Sequence, residues 1–433
     1  MSLAAAQFPR LLAGMPSSGT LGLREHLSLH GPLTLPARRR GSARSEHPLI
    51  LELERAGLRG YGGAGFPTAT KLHAVAAQGS RPVILVNGAE GEPLSDKDRL
   101  LSGRLPHLVI DGAVVVAAAL GSDQVVFALD EHASGPARAL RQALAERSDL
   151  QSRGAPAVSV TAVPGGYLTG QESALVNVLD GGRGLPTLTP PYPSERGLQG
   201  RPTLVSNSET LAQVALVARH GGDWFRALGT AGDPGTRLVT VGGAVSYPGV
   251  VEIAGGTTLH QLIKASGGLS APIQGVLLGG YAGSWLPAEA LELRLDALAL
   301  AERGLRLGGG IVFVLDESAC AVAEVAGVAR WLQRESAGQC GPCINGLQSI
   351  ADALEDLCGG GDQRRAYGRI ERWCELVTRR GACALPDGAA SFVSTALRTF
   401  RPEFDDHAQH GACDACVGPR RLPTPSFAGV YAG

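Results

Sequence analysis

The chain has almost no lysine. Lys71, Lys97 and Lys264 are the only three, and arginine carries the rest of the basic charge. It has no cysteine before Cys320. It has no apolar run of the roughly 20 residues needed to cross a bilayer; the longest candidate, Leu108 to Leu120, is too short and contains Asp111. Net charge is also missing: the formal value is −1, which excludes the basic face expected of a dedicated nucleic-acid binder. The first twenty residues lack a basic start followed by a sustained apolar core, so no signal peptide is expected. These absences describe a soluble chain expected in the cytoplasm. There, its eight cysteines are better read as metal ligands or thiols than as disulfides.

What is present points to several folded units. A length of 433 residues leaves room for about three domains, and 44% hydrophobic with 18% charged residues is too apolar for a disordered chain. The 60 glycines are about twice the usual share. They follow no collagen period and imply tight turns and close backbone approaches. Residues 1–45 are rich in Pro, Gly and Arg and read as an extended arm. Residues 46–233 alternate strands (Val83–Val86, Gln124–Leu129, Ala157–Val163) with helices (Leu108–Leu120, Gly135–Arg147), the pattern of an α/β layer on a mainly parallel sheet. A Pro-rich surface loop, Leu185–Pro202, lies near its end. Residues 234–315 hold two β-branched strands, a helix that starts near Thr257/Thr258 and stops at Gly267–Gly268, and further strands, a β-β-α order that fits a small β-grasp module. Residues 316–404 carry up to four helices, Ala319–Gln333, Ile344–Leu357, Gln363–Thr378 and Gly388–Phe400, a small bundle. Residues 405–433 form a tail with a CxxC.

The first chemical signal is Gly60-Tyr61-Gly62-Gly63-Ala64-Gly65-Phe66-Pro67-Thr68, which runs straight into a helical segment. Several backbone N–H groups can converge on one anion only where Cβ atoms are missing, and a helix N-terminus adds partial positive charge. Lys71, one turn in, supplies a full charge. An isolated glycine loop is equally well a plain turn. The surroundings favour a ligand: polar patches follow two strands, at Asn87–Pro93 and Gly165–Glu172, a further one, Asn207–Thr210, follows the Pro-rich loop, and open α/β sheets bind ligands beyond the carboxyl ends of their strands.

The segments RGYGGAGFPTATK, VNGAEGEP-SDKDR, TGQESALVNVLDGGRGLP, PPYP and GRPTLVSNSET, in this order between Ile50 and Phe404, resemble the NADH-oxidising flavoprotein subunit of respiratory complex I. They are also similar to its relatives in NAD-reducing hydrogenases and formate dehydrogenases. The resemblance implies a Rossmann-like FMN-binding domain, a soluble-ligand-binding β-grasp (SLBB) domain and a helical iron–sulfur domain. It implies that Gly60, Gly62, Gly63 and Gly65 approach FMN, and that Lys71, Asn87, Glu90, Glu172 and Asn207 hold its polar edges. Phe66, Glu92 and Tyr192 would meet the dinucleotide NAD(H). Four positions depart from the family: Ala89 replaces an aspartate, Gln171 a glutamate, Ala74 an aromatic that packs on NADH, and Thr189 a lysine. The flavin half is therefore expected to be better kept than the NADH half.

The cysteines add a second cofactor. The stretch Glu335-Ser336-Ala337-Gly338-Gln339-Cys340-Gly341-Pro342-Cys343, with Cys383 beyond it, is similar to the family's ESCGxCxPC and remote fourth cysteine, which bind a [4Fe–4S] cluster. Ala337 stands at the first ligand position, leaving Cys340, Cys343 and Cys383. Three outcomes stay open: another thiol (Cys320, Cys374, Cys413 or Cys416) completes the set, the cluster has a non-cysteine ligand or lacks one iron, or no cluster forms. Cys413-Asp414-Ala415-Cys416 would complete the cluster, bind zinc or cycle as a dithiol. A lone CxxC is a weak zinc signal, and His407 and His410 read as surface residues, so no separate metal is expected there.

A flavin that takes two electrons beside a cluster that takes one makes a two-to-one-electron converter. The reading is an NADH dehydrogenase-like oxidoreductase passing electrons to a ferredoxin-like or iron–sulfur partner, with any membrane association made through that partner. No side chain need act as nucleophile. The rival reading is a degenerate binding or assembly subunit of a redox complex.

Overall fold

The structure, a computed structural model, describes residues 8–33, 43–151, 155–360 and 362–426. Residues 1–7 and 34–42 of the expected arm, and 427–433 of the expected tail, lie outside the described residues. The chain divides into two compact units. The first runs to Val239 without Glu92–Ser95 and adds Glu252–Thr257; the second takes Glu92–Ser95, Thr240–Val251 and the chain from Thr258 onward.

The first unit is built on four strands, β1 (Val83–Gly88), β2 (Gln124–Asp130), β3 (Ala157–Val163) and β4 (Thr203–Asn207). They lie in the order β3-β2-β1-β4, and every pair is parallel. The near-continuous apolar run of β1 is what a parallel strand covered on both faces requires. Its helices are α1 (Leu23–His30), α2 (Pro48–Ala56), α3 (Thr68–Ala76), α4 (Lys97–Arg104), α5 (Pro106–Leu120), α6 (Ser134–Ala145), α7 (Glu172–Leu179), α8 (Ser208–His220) and α9 (Gly222–Arg226). One sheet face packs Val83, Leu85, Val126, Ala128 and Val205 against Leu175 and Leu198. α5 is buried along almost its whole length and packs on α8. Gly112 makes that approach possible, since a Cβ there would sit 1.8 Å from the carbonyl oxygen of Leu211. No single helix among the described residues is long and apolar enough to cross a membrane.

The expected extended arm contains a helix, α1, and is tied down by buried charge. The carboxylate of Glu252 accepts the main-chain N–H groups of Arg10, Leu11 and Leu12 at 2.9–3.0 Å, while the Arg10 guanidinium donates to the carbonyls of Phe225 and Trp224. His26 of α1 meets Asp111 of α5 at 2.7 Å, and Arg147 and Arg219 close on the same carboxylate. Sequence periodicity misses this helix because its hydrophobic side is short; long-range pairing of His26 with Asp111 holds it.

The second sheet, most of it in the second unit, has the order β6-β5-β9-β7-β8, formed by β5 (Thr236–Gly243), β6 (Gly249–Ala254), β7 (Ile273–Leu278), β8 (Ser284–Pro287) and β9 (Ile311–Asp316). β5 runs parallel to β9, and β7 is antiparallel to both β8 and β9. α10 (Leu259–Ala265) begins with a reciprocal cap between Thr258 and Gln261 and stops before Gly267–Gly268, both at positive φ. The helices α11 (Ala297–Glu302), α12 (Ala321–Arg334), α13 (Gln348–Glu355), α14 (Gln363–Val377), α15 (Leu385–Thr399) and α16 (Arg401–His410) follow. α16 crosses the expected boundary at residue 404, so the tail begins later than its Pro/Gly texture indicates.

The histidine cluster gives the fold a pH dependence. Burial, reinforced by the nearby His26 and Arg219 side chains, pushes His30 down to about 4. Burial works against the ionised form of Asp111, yet the hydrogen bond from His26 and the guanidinium groups of Arg147 and Arg219 hold it well below the usual carboxylate range. His30 is thus neutral in the folded chain and takes up its proton first on unfolding. Its share of stability is intact above about pH 6.5, the ordinary histidine value, and is lost as pH falls toward 4. The share of Asp111 persists until below about pH 3.9. Urea unfolding between pH 7.5 and 4.5 should show falling stability in the native chain and a shallower fall in His30→Gln; equal slopes would refute the assignment.

Candidate functional site

β1 lies between β2 and β4, so the chain leaves its two sides in opposite directions. Such a switch point opens a crevice at the carboxyl ends of the strands. Asn87 and Asn207, register partners at those ends, both line a cleft there, together with Gly60, Gly62, Gly65, Phe66, Thr68, Lys71, Gly170 and Glu172. The cleft holds about 620 Å³ free of protein atoms, part of it open to solvent. Gly63 belongs to the same turn without lining the cleft. Gly63 and Gly65 take positive φ, and a Cβ on either would meet nothing within 4 Å. At Gly63 and Gly65 the turn therefore presents bare main chain, while Ala64 and Phe66 of the same turn add side chains to the lining.

The residues match an anionic ligand. α3 follows the turn with no side-chain cap at its N-terminus; Thr68 N–H donates to the Leu58 carbonyl at 2.9 Å, and the N–H groups of the next two residues are left for a ligand. Thr68, its first residue, is buried, and its hydroxyl has no hydrogen-bond partner among the described residues. Lys71 pairs with Glu172 and donates to the Val205 carbonyl at 3.0 Å. Gln171, where the resembling family has an acid, caps α7: its Oε1 accepts from Ala174 N–H at 2.9 Å and Ser173 Oγ at 2.6 Å. A neutral amide performs that task and leaves Glu172 as the carboxylate facing Lys71. A Cβ on Gly170 would lie 2.6 Å from the Ala89 carbonyl oxygen, so the loops after β1 and β3 touch through main chain.

Glu90 and Glu92 have hydrogen bonds of their own. Glu90 does not line the cleft; its oxygens accept the N–H groups of Asp98 and Arg99 at 3.2 and 3.0 Å, at the start of α4. Glu92, in the second unit, accepts from Tyr281 N–H at 3.0 Å and Leu94 N–H at 3.4 Å. Phe66 and Tyr192 are exposed aromatics, at 49% and 55%.

Lys97, Asp98 and Glu209 fall inside the conspicuous sequence motifs, yet their part in the site emerges only from the fold. Lys97 is 2% exposed and Glu209 is fully buried; they pair at 2.6 Å, with Asp98 3.5 Å from the same ammonium. Burial alone would lower the lysine, but the carboxylates of Asp98 and Glu209 hold it above its ordinary value. Glu209 also accepts from Leu238 N–H at 2.7 Å, and Asp98 accepts from Asn207 Nδ2 and from Glu209 N–H. The network fixes α4, α8 and the start of β5 beneath Asn207. A signal exists in the sequence: two of its three lysines fall in one short stretch.

In the second unit, Cys340, Cys343 and Cys383 interact with one another. Burial disfavours the Cys340 thiolate, but the N–H groups of Ala382 and Cys343 hold its thiol below the ordinary value, while burial pushes Cys343 up to about 12. Gly338, at φ 62, turns the loop and sends its N–H to Cys343. Donors already aimed at sulfur suit a thiolate-held iron–sulfur group. Cys374 is buried and bonded to Ser394. Cys320, Cys413 and Cys416 gather instead around His407, which is fully buried rather than on the surface.

Comparison with known proteins finds an FMN-binding region and an iron–sulfur-binding region in the chain. Residues 53–216 match the Nuo51 FMN-binding domain, 323–407 the NADH-ubiquinone oxidoreductase-F iron-sulfur binding region, and 238–274 the SLBB domain. The chain is 34% identical over 378 residues to an F subunit, the one numbered 2, of the NADH-quinone oxidoreductase of Rhizobium meliloti (strain 1021), covering 84% of this chain and 90% of the relative. It is 33% identical over 386 residues to the NADH-quinone oxidoreductase F subunit of Streptomyces coelicolor, covering 87% and 86%. Among solved structures it is similar to an NAD+-reducing [NiFe]-hydrogenase in the H2-reduced state, with TM-score 0.77, 32% identity, and 88% of this chain against 67% of that one.

Lys97→Met removes one partner of a buried ion pair and leaves two carboxylates uncompensated. Its expected cost is about 3–5 kcal/mol, read by urea unfolding, with part recovered in Lys97→Met/Glu209→Gln. A cost below about 1 kcal/mol would place the pair in the solvent-screened class.

Proposed function

The chain belongs to the family of NADH-quinone oxidoreductase F subunits, as an FMN- and iron–sulfur-binding, NADH dehydrogenase-like oxidoreductase component, and we propose how its own residues divide that work. The observation that carries the assignment is the cleft at the β1–β4 switch, where bare glycine backbone, the uncapped α3, Lys71 and the unpartnered Thr68 hydroxyl converge. Gly60, Gly62, Gly63 and Gly65 let main-chain N–H groups approach the FMN phosphate. Thr68 donates to it, and Lys71 neutralises it. Asn87 and Asn207 fix the rim at the ends of β1 and β4, and Glu90 acts at one remove by holding the start of α4. Phe66 and Tyr192 offer aromatic faces to NADH, and Glu92 braces its own loop through main-chain N–H groups. When bound, FMN supplies acceptance of an electron pair and its release in single steps.

Cys340, Cys343 and Cys383 hold the iron–sulfur cluster, and the fourth corner has a non-cysteine ligand. Ala337 brings no sulfur, and Cys320, Cys413 and Cys416 are drawn to His407. The electrons leave to an iron–sulfur partner protein in the cytoplasm, and that partner provides any association with a membrane. The domain limits we adopt are those expected from the sequence, with the bundle extended through His410.

Anaerobically purified protein should carry flavin and iron, and NADH added under argon should bleach the flavin. Lys71→Met is expected to weaken FMN binding about 10- to 100-fold, the value of a charge-assisted hydrogen bond of about 1.5–3 kcal/mol, with the fold unchanged by circular dichroism. Cys340→Ala, Cys343→Ala and Cys383→Ala should each remove the cluster's visible and paramagnetic signature, whereas Ala337→Cys should make it more resistant to oxidation. A folded chain that stays colourless after reconstitution with FMN, iron and sulfide would overturn this assignment in favour of a non-catalytic assembly role.

A further inference from the structure

Four ligand-bearing side chains that neither cofactor site uses converge in the second unit. Cys320 caps the start of α12, His407 lies in α16, and Cys413 and Cys416 bracket the turn after α16. Their ligand atoms all lie within 4.8 Å of one another. Cys320 Sγ is 3.5 Å from Cys416 Sγ and 3.6 Å from His407 Nε2. The Cys413 and Cys416 sulfurs are 3.8 Å apart, and Cys416 Sγ is 4.0 Å from His407 Nε2.

These edges have the size of one coordination tetrahedron. Zn–S bonds of about 2.3 Å and a Zn–N bond of about 2.0–2.1 Å at tetrahedral angles give edges of about 3.8 Å between sulfurs and about 3.6 Å from sulfur to nitrogen. A disulfide would bring two sulfurs to about 2.05 Å, and all the cysteines are free. Cysteines on different corners of an iron–sulfur cube would stand farther apart, because the cube itself separates them. The imidazole is also set for a metal. Its Nδ1 lies 3.3 Å from the Leu357 carbonyl oxygen and so carries the proton, which turns the Nε2 lone pair toward the sulfurs, the arrangement that orients a metal-bound histidine.

We propose that Cys320, His407, Cys413 and Cys416 bind one zinc ion, at a site separate from the iron–sulfur cluster. The three thiols lose their protons to solvent as the metal enters. Four protein ligands leave no open position, so the site is structural. It joins α12 to α16 and anchors the beginning of the tail. Beyond it, Arg421 and Leu422 N–H groups reach the Glu324 carboxylate at 2.8 and 2.9 Å, Tyr281 Oη donates to the Pro423 carbonyl, and Trp331 Nε1 to that of Pro425, both at 2.6 Å. Cys358 hydrogen-bonds Cys416 as a fifth sulfur outside the set.

The test is metal analysis and zinc-edge X-ray absorption on the full-length chain. About one zinc per chain, in a shell of three sulfurs and one nitrogen, is expected. Cys413→Ser/Cys416→Ser should lose zinc and keep iron, Cys340→Ala should lose the iron–sulfur signature and keep zinc, and Cys358→Ala should keep both. Should the double variant fail to fold, the absorption spectrum of the native chain decides alone. A folded native chain without zinc, a shell other than three sulfurs and one nitrogen, or zinc that disappears with the cluster in Cys340→Ala would each overturn the proposal. Loss of FMN or of NADH bleaching with zinc retained would count against the redox assignment only.

Discussion

A single buried ammonium organises the first unit. Lys97 has left water almost completely, which is tolerable only because Glu209 and Asp98 both meet it. Each carboxylate is in turn committed to main chain: Glu209 to Leu238 and Asp98 to Glu209 itself. One charge therefore ties together three elements far apart in sequence. Replacing such a triad by apolar groups is often neutral or stabilising, so its presence is not explained by stability alone. What it does provide is a fixed Asn207, whose amide donates to Asp98 while its carbonyl caps α8, at the mouth of the cleft.

The same logic separates rim from floor. Groups that face the cleft, Lys71 and Glu172, are partly exposed and can re-pair when an anion arrives. Lys97, Asp98 and Glu209 beneath it are buried and paired with one another. A ligand site of this kind needs both: rigid support where geometry matters, and one exchangeable ion pair where charge must be matched.

Much of this is legible in the sequence for identifiable reasons. The strands of the parallel sheet are continuous apolar runs, and a glycine-rich turn that enters a helix with a lysine one turn along is a distinctive pattern. α1 is not legible, because it is held by His26 against Asp111, 85 residues away, and no local pattern encodes such a pair. Glu90 and Glu92 follow a strand in sequence; the folded chain shows what no local pattern does, that their oxygens accept backbone N–H groups. His407 misleads by its position. A histidine near the end of a Pro/Gly-textured segment reads as solvated, until α16 carries it into the core.

The eight cysteines are sorted by spacing in three dimensions rather than in sequence. The CxxC of Cys340 and Cys343 and the CxxC of Cys413 and Cys416 have the same local motif, yet they meet different partners. Sulfurs of the first accept main-chain N–H groups of Gly338, Ala382 and Cys343, donors that would suit thiolates holding an iron–sulfur group. The second meets a third sulfur and an imidazole at the edge lengths of one ion. A thiol held at van der Waals distance from two other ligands cannot also reach a cube without dismantling its own tetrahedron. The zinc proposed at His407 and the non-cysteine corner proposed for the cluster would thus be two consequences of one allocation of sulfur.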